Sequence, residues 1–162
     1  MKKQLLILFC MLASFASAQQ VTKTVHKKAV RTDMVTTGTL TIRKPDYVCI
    51  ATDGDKDLLI MDGTKFTMTM GGKQHVTDSR KNPQFATFHS VLKAVINHQP
   101  IPAGEELTTT RSGGLTTITI IPAGKKRQLF TSFVLTVDAK TLAFRTLRMN
   151  GRNEDYTEYT FK

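Results

Sequence analysis

The chain has 162 residues, no tryptophan and two cysteines, which is enough for one domain with a modest core and excludes a multidomain enzyme. With 22% charged and 40% hydrophobic residues it is neither a charge-dominated disordered chain nor a disulfide-stapled miniature. The formal net charge of +10 favours anionic partners: membrane headgroups, acidic proteins or nucleic acid.

The N-terminus reads as an export signal. Lys2-Lys3, an apolar stretch from Leu5 to Phe15 and Ala16-Ser17-Ala18 give the basic, apolar and small-residue regions of a signal peptide over residues 1–18. The apolar run is too short to cross a hydrocarbon core of ~30 Å. Phe9 stands where lipidation at Cys10 would need a small residue, so a soluble, unlipidated chain is expected, with residues 19–162 as a single domain. Cys49 is then the only thiol, within the apolar run Tyr47-Val48-Cys49-Ile50-Ala51, and is read as a small packed hydrophobe. Export also argues against nucleic acid as a partner, and no arginine-aromatic platform for stacking bases is present.

Residues 19–30 are expected to form the first strand. Turn chemistry at Asp53-Gly54, Asp62-Gly63 and Gly71-Gly72 then separates runs at Gly38–Arg43, Asp46–Thr52, Lys56–Met61, Lys65–Met70 and Lys73–Thr77, the pattern of an antiparallel meander. In Phe66-Thr67-Met68-Thr69-Met70 the Phe and Met side chains share one face and the threonines the other, and Leu40 and Ile42 alternate likewise with Thr39, Thr41 and Arg43. From Asn82 the period changes. Asn82 can cap, Pro83 suits a first helical position, and Phe85, Phe88, Val91, Leu92, Val95 and Ile96 recur at helical spacing. Strands return at Glu105–Thr110, Leu115–Ile121, Arg127–Val137, Ala143–Met149 and Asp155–Phe161. The expected fold is mainly β: a strongly curved antiparallel sheet of about ten strands, an unclosed barrel, with one amphipathic helix covering its concave apolar face.

Catalytic and metal-binding patterns are absent from this reading. His26, His75, His89 and His98 lack metal-ligand spacing, and Asp53, Asp55 and Asp57 lack the glutamate of a calcium loop. No serine sits in a nucleophile elbow, and Gly71-Gly72-Lys73 is a tight hairpin without the rest of a phosphate loop. No catalytic residue, metal or cofactor is assigned. An exported hydrolase with two carboxylates meeting in the concave face is the alternative, and a lipid-binding or adaptor protein a third.

Three runs carry a family resemblance. Gly38-Thr39-Leu40-Thr41-Ile42-Arg43-Lys44-Pro45-Asp46, Leu59-Ile60-Met61-Asp62-Gly63-Thr64-Lys65-Phe66, and Phe133-Val134-Leu135-Thr136-Val137-Asp138 followed by Tyr156-Thr157-Glu158-Tyr159-Thr160-Phe161 resemble, in that order, the periplasmic outer-membrane lipoprotein carriers, in their Bacteroidota-like branch. The resemblance implies a periplasmic, monomeric, non-catalytic protein with a helical lid over an apolar cavity. Its implied partners are acylated lipoproteins, an inner-membrane lipoprotein-release complex and an outer-membrane receptor. It also implies that Arg43 and Lys44, directly before Pro45, contact the lid. The candidate acyl-chain lining is Leu40, Ile42, Phe66, Met68 and Met70 from the sheet and Phe85, Phe88, Leu92 and Val95 from the lid, with Met61 and Met149 as further adaptable side chains. A filled structural core would use the same residues. One departure from the family is expected: a strand at residues 19–30 takes the place of the amphipathic helix that usually precedes the first strand.

Overall fold

The computed structural model describes residues 18–122, 124 and 128–162. The expected signal peptide lies outside these residues except for Ala18, as do Lys125, Lys126 and Arg127. The described elements are β1 (Ala18–His26), β2 (Met34–Arg43), β3 (Tyr47–Thr52), β4 (Asp57–Asp62), β5 (Lys65–Met70), β6 (Lys73–Asp78), α1 (Pro83–Ile96), β7 (Leu107–Ser112), β8 (Leu115–Ile120), β9 (Ser132–Asp138), β10 (Phe144–Asn150) and β11 (Tyr156–Phe161). The first of these is a strand, as expected, although it ends at His26.

All eleven strands join one sheet in the order β6-β5-β4-β3-β2-β1-β11-β10-β9-β8-β7. Two antiparallel meanders therefore meet where β1 pairs with β11, Val21 opposite Phe161 and His26 opposite Tyr156. The helix α1 follows one outer strand, β6, and precedes the other, β7. Two-residue turns build the outermost hairpins: Gly71-Gly72 and Gly113-Gly114 have positive φ at both positions, which mirror-image hairpin turns require and only glycine adopts freely. Gly38 serves a different purpose in the middle of β2. A Cβ there would lie 1.8 Å from the Ala51 carbonyl oxygen, so β3 crosses too closely for any side chain.

The expected mainly β fold of about ten strands with one covering helix is found, but the strongly curved, barrel-like form of its sheet is not. The sheet has eleven strands, its edges β6 and β7 do not pair, and it is neither closed nor strongly curled. Closure would require those edges to share a hydrogen-bonded ladder. Both instead present exposed side chains, Lys73 to Val76 on β6 and Thr108 to Ser112 on β7, and such polar edges resist further pairing. Alternation along a strand identifies its buried face, but the same alternation serves open and closed sheets.

One face of the sheet and the inner face of α1 form the core. Asn82 caps the helix by accepting from the Gln84 N–H, and Pro83 stands at its start. The helix buries Phe85, Phe88, Val91, Leu92, Val95 and Ile96, each worth about 1.5–3 kcal/mol when fully removed from water. Phe88 stacks on Phe133 of β9 at 4.5 Å between centroids, and Phe66 of β5 lies 5.2 Å from Phe85. The helix therefore bridges both meanders. A polar link ties strands within the first meander: Lys23 of β1, with its side chain only 3% exposed, donates to Asp57 of β4 at 2.7 Å.

Candidate functional site

Between β5, the chain before β9 and the β10–β11 turn the core opens into a cleft of about 610 Å³. Met68 and Met70 from β5, Met149 from β10, and Leu129 and Phe130 from the chain before β9 form its apolar walls. An inner pocket of about 300 Å³ continues under the helix, between Phe66, Phe85, Phe88 and Phe133. The two share Met68, His75, Leu129, Phe130 and Met149, so the inner pocket lies directly against the cleft. Three thioether side chains make this wall soft and able to repack around different apolar shapes. Lys27, Lys73, His75, Arg152 and Asp155 stand around the outer cleft.

The nine candidate lining residues divide into two groups. Phe66, Met68, Met70, Phe85 and Phe88 face the cleft or its inner pocket. Leu40, Ile42, Leu92 and Val95 instead pack in the continuous core, where Leu40 is 1% and Val95 2% exposed. Met61 is likewise core, whereas Met149 is a wall of both cavities. Leu129 and Phe130 escaped the sequence reading, which placed them inside a strand from Arg127. The strand begins at Ser132, and the preceding residues fold against the mouth instead. No periodic signal marks such a segment.

The helix is tied down at several points. At its C-terminal end Asn97 Nδ2 donates to the Pro45 carbonyl at 2.6 Å and to the Lys93 carbonyl at 2.8 Å. Near its start Asn82 Nδ2 donates to Thr77 Oγ1 at 3.2 Å, and on its flank Thr87 Oγ1 donates to Glu106 at 2.7 Å. Arg43 lies over the Tyr47 ring at 3.9 Å, and Lys44 is exposed in the same turn. The backbone of this turn, rather than either basic side chain, receives the bond from Asn97.

Two buried polar atoms of the helix have no partner, Gln84 Nε2 and His89 Nε2. Burial pushes the His89 imidazole below its ordinary pKa, Asp46 opposes this, and Lys93 adds to it. Burial also raises the Cys49 thiol, in keeping with a packed rather than reactive cysteine. Tyr159, on β11 opposite Lys23, has its hydroxyl held well above the ordinary value by burial and then by the Asp57 charge. Burial works against the Asp57 carboxylate, but the hydrogen bond and charge of Lys23 outweigh it and leave the carboxyl below its usual range. Among the described residues no group of three or more His, Cys, Asp or Glu is placed to hold a metal ion.

A family model described as outer membrane lipoprotein carrier protein LolA matches residues 13–162. No protein of curated function matches the chain. Similar solved structures include a LolA superfamily protein from Nitrosomonas europaea, at 5% identity over 91% of this chain and 84% of that one, with a TM-score of 0.34. An outer membrane lipoprotein-sorting protein domain from Vibrio parahaemolyticus is 10% identical over 90% of this chain and 82% of that one, with a TM-score of 0.37. The GerS lipoprotein–CwlD amidase complex from Clostridioides difficile contains a chain 14% identical over 85% of this chain and 78% of that one, with a TM-score of 0.35.

Proposed function

The chain belongs to the outer membrane lipoprotein carrier family, whose members are periplasmic and non-catalytic, and from that premise we propose that it takes up the acyl chains of lipoproteins in the cleft beside α1 and shuttles them from the inner to the outer membrane. The observation that carries this reading is the cleft walled by Met68, Met70 and Met149, which adjoins a pocket beneath the helix between Phe66, Phe85, Phe88 and Phe133. Each CH₂ left in water costs about 0.8 kcal/mol, so a lipoprotein's acyl chains must be enclosed during transit. The cleft provides the entrance, and displacement of α1 from Phe66 and Phe133 enlarges the space behind it. No bond is made or broken. Release follows when a partner with higher affinity draws the chains out.

In this reading residues 1–18 are the removed signal, an inner-membrane release complex loads the carrier, and an outer-membrane receptor empties it. Phe66, Met68, Met70, Phe85 and Phe88 meet the acyl chains first. Leu40, Ile42, Leu92 and Val95 meet them only once the helix has moved. Arg43 and Lys44 act on the lid through the turn to which Asn97 is bonded. Placement in a Bacteroidota-like branch rests on the sequence runs alone.

The test is release of radiolabelled lipoprotein from spheroplasts of the source cell by the purified protein. The wild type is expected to bring lipoprotein into solution as a complex. Leu129→Asp, at a wall position 53% exposed, is expected to lose that release while keeping the wild-type melting temperature, and Met70→Asp to lose it with a lowered melting temperature because Met70 also packs against the core. Failure of the wild type, with a known carrier active in the same spheroplasts, would refute the reading.

A further inference from the structure

The β1–β2 hairpin extends past the core. Alternation places Met34 on the same sheet face as Leu40 and Val35 on the opposite face, yet they are 60% and 59% exposed, and Val30 at the tip is 54% exposed. This two-stranded ribbon has apolar side chains bare on both faces, with nothing among the described residues to cover them. The tip is also held in place. Lys27 pairs with Asp155 at 3.2 Å and Lys28 with Glu154 at 3.0 Å, which fastens the hairpin to the β10–β11 turn beside the cleft, and His26 pairs with Asp33 at 2.7 Å.

The three acids at this end are thereby engaged. Arg31 at the tip, and Lys73 and Arg152 at the cleft, are exposed cations with no ion pair among the described residues. Val76 and Leu129, 56% and 53% exposed, add apolar surface around the inner pocket. One end of the molecule thus combines the cleft entrance, unpaired cations and a projecting apolar tip.

We propose that this end docks on an anionic lipid bilayer, with Val30, Met34 and Val35 entering the boundary between headgroups and acyl chains and Arg31, Lys73 and Arg152 meeting lipid phosphates. Apolar insertion combined with attraction to anionic lipid is the means by which peripheral proteins hold a membrane surface. Residues 1–18 carry two of the lysines behind the net charge of +10, so the chain without them keeps +8, which adds long-range attraction. The purpose of the contact rests on the carrier reading: acyl chains would pass between bilayer and cleft without crossing open water. The contact itself needs no cargo.

The experiment is co-sedimentation of the protein, purified from the periplasm, with vesicles of mixed phosphatidylglycerol and phosphatidylcholine and with vesicles of phosphatidylcholine alone. Binding to the mixed vesicles is expected, weakening as salt is raised, with at least about tenfold weaker binding to the neutral ones. Val30→Asp and Met34→Asp should each weaken binding about tenfold while leaving the melting temperature unchanged, because both side chains are exposed. Arg31→Glu with Arg152→Glu should remove the preference for anionic lipid, whereas Thr110→Asp on β7 should change nothing. Absence of vesicle binding, equal binding to both vesicle types, or wild-type binding by the tip variants would overturn the proposal. Lipoprotein release from spheroplasts separates the two claims. Release without vesicle binding removes only the docking surface, and vesicle binding without release removes only the carrier reading.

Discussion

Asn97, at the C-terminal end of α1, donates a 2.6 Å hydrogen bond from Nδ2 to the carbonyl of Pro45, fifty-two residues earlier in the β2–β3 turn. The same amide caps the helix by donating to Lys93. One side chain therefore both ends the helix and fastens it to the sheet. Asn97→Asp keeps the shape but replaces the donor with a carboxylate facing two carbonyls, and it is expected to cost about 1–3 kcal/mol. Hydrogen exchange should show faster opening of residues 91–96, with β9 and β10 unchanged; uniform protection in the variant would show that the bond does not hold the lid.

His89 is expected to make α1 sensitive to acid. Its folded pKa lies below the ordinary value, so the unfolded chain takes up the proton first as pH falls. Its contribution to stability is complete above the ordinary histidine pKa of about 6.5 and is lost as pH falls from there toward the lower folded value. Asp46 and Lys93 are the charges that act on it. Exchange of the helix amides should accelerate from pH 7.5 to 5.5 in the wild type and much less in His89→Leu. Equal acceleration in both would assign the effect to other groups.

The Lys23–Asp57 pair should behave asymmetrically. Asp57→Ala leaves an ammonium in a site only 3% exposed and is expected to cost about 3–5 kcal/mol. Lys23→Leu leaves its partner with 19% exposure and a backbone donor from Gly71, and should cost less. The double variant Lys23→Leu/Asp57→Leu should recover much of the loss in a denaturant titration. Additive losses would mean that the charges do not act as a pair.

Gly38→Ala should be among the most damaging small substitutions in the chain. Its Cβ would overlap the β3 backbone, so β2 and β3 must separate where Gly38 faces Thr52. A fall in melting temperature of several degrees is expected, against little change for Gly104→Ala, whose surroundings are open.

The helix, its cap and most strands were legible because period and turn chemistry are local properties: Phe85 to Ile96 follow one helical stripe, and paired glycines mark two-residue hairpins. The covered face was legible too, since Phe66 and Met68 alternate with threonines. Global shape was not. Whether β6 and β7 meet depends on register and twist accumulated over eleven strands, which alternation does not encode. The cleft was half legible. Its β5 and helix walls follow the pattern, whereas Leu129 and Phe130 lie in irregular backbone and reach the mouth only through tertiary packing. The same holds for the Asn97–Pro45 bond, because an asparagine after a helix reads as a local cap and its second acceptor is distant in sequence. Arg43 and Lys44 stand beside Pro45, and the polar contact from the helix is made to the backbone of that turn rather than to either basic side chain.

The central claim is that acyl chains occupy the cleft beside α1. Its most direct measurement is photo-crosslinking of a lipoprotein carrying a diazirine-labelled acyl chain to the purified protein, with the modified residues mapped by mass spectrometry. The account predicts adducts on Met68, Met70, Leu129, Phe130 and Met149, reduced by Met70→Asp and competed by unlabelled lipoprotein. Adducts confined to other surfaces, or none under conditions where lipoprotein is released, would contradict it.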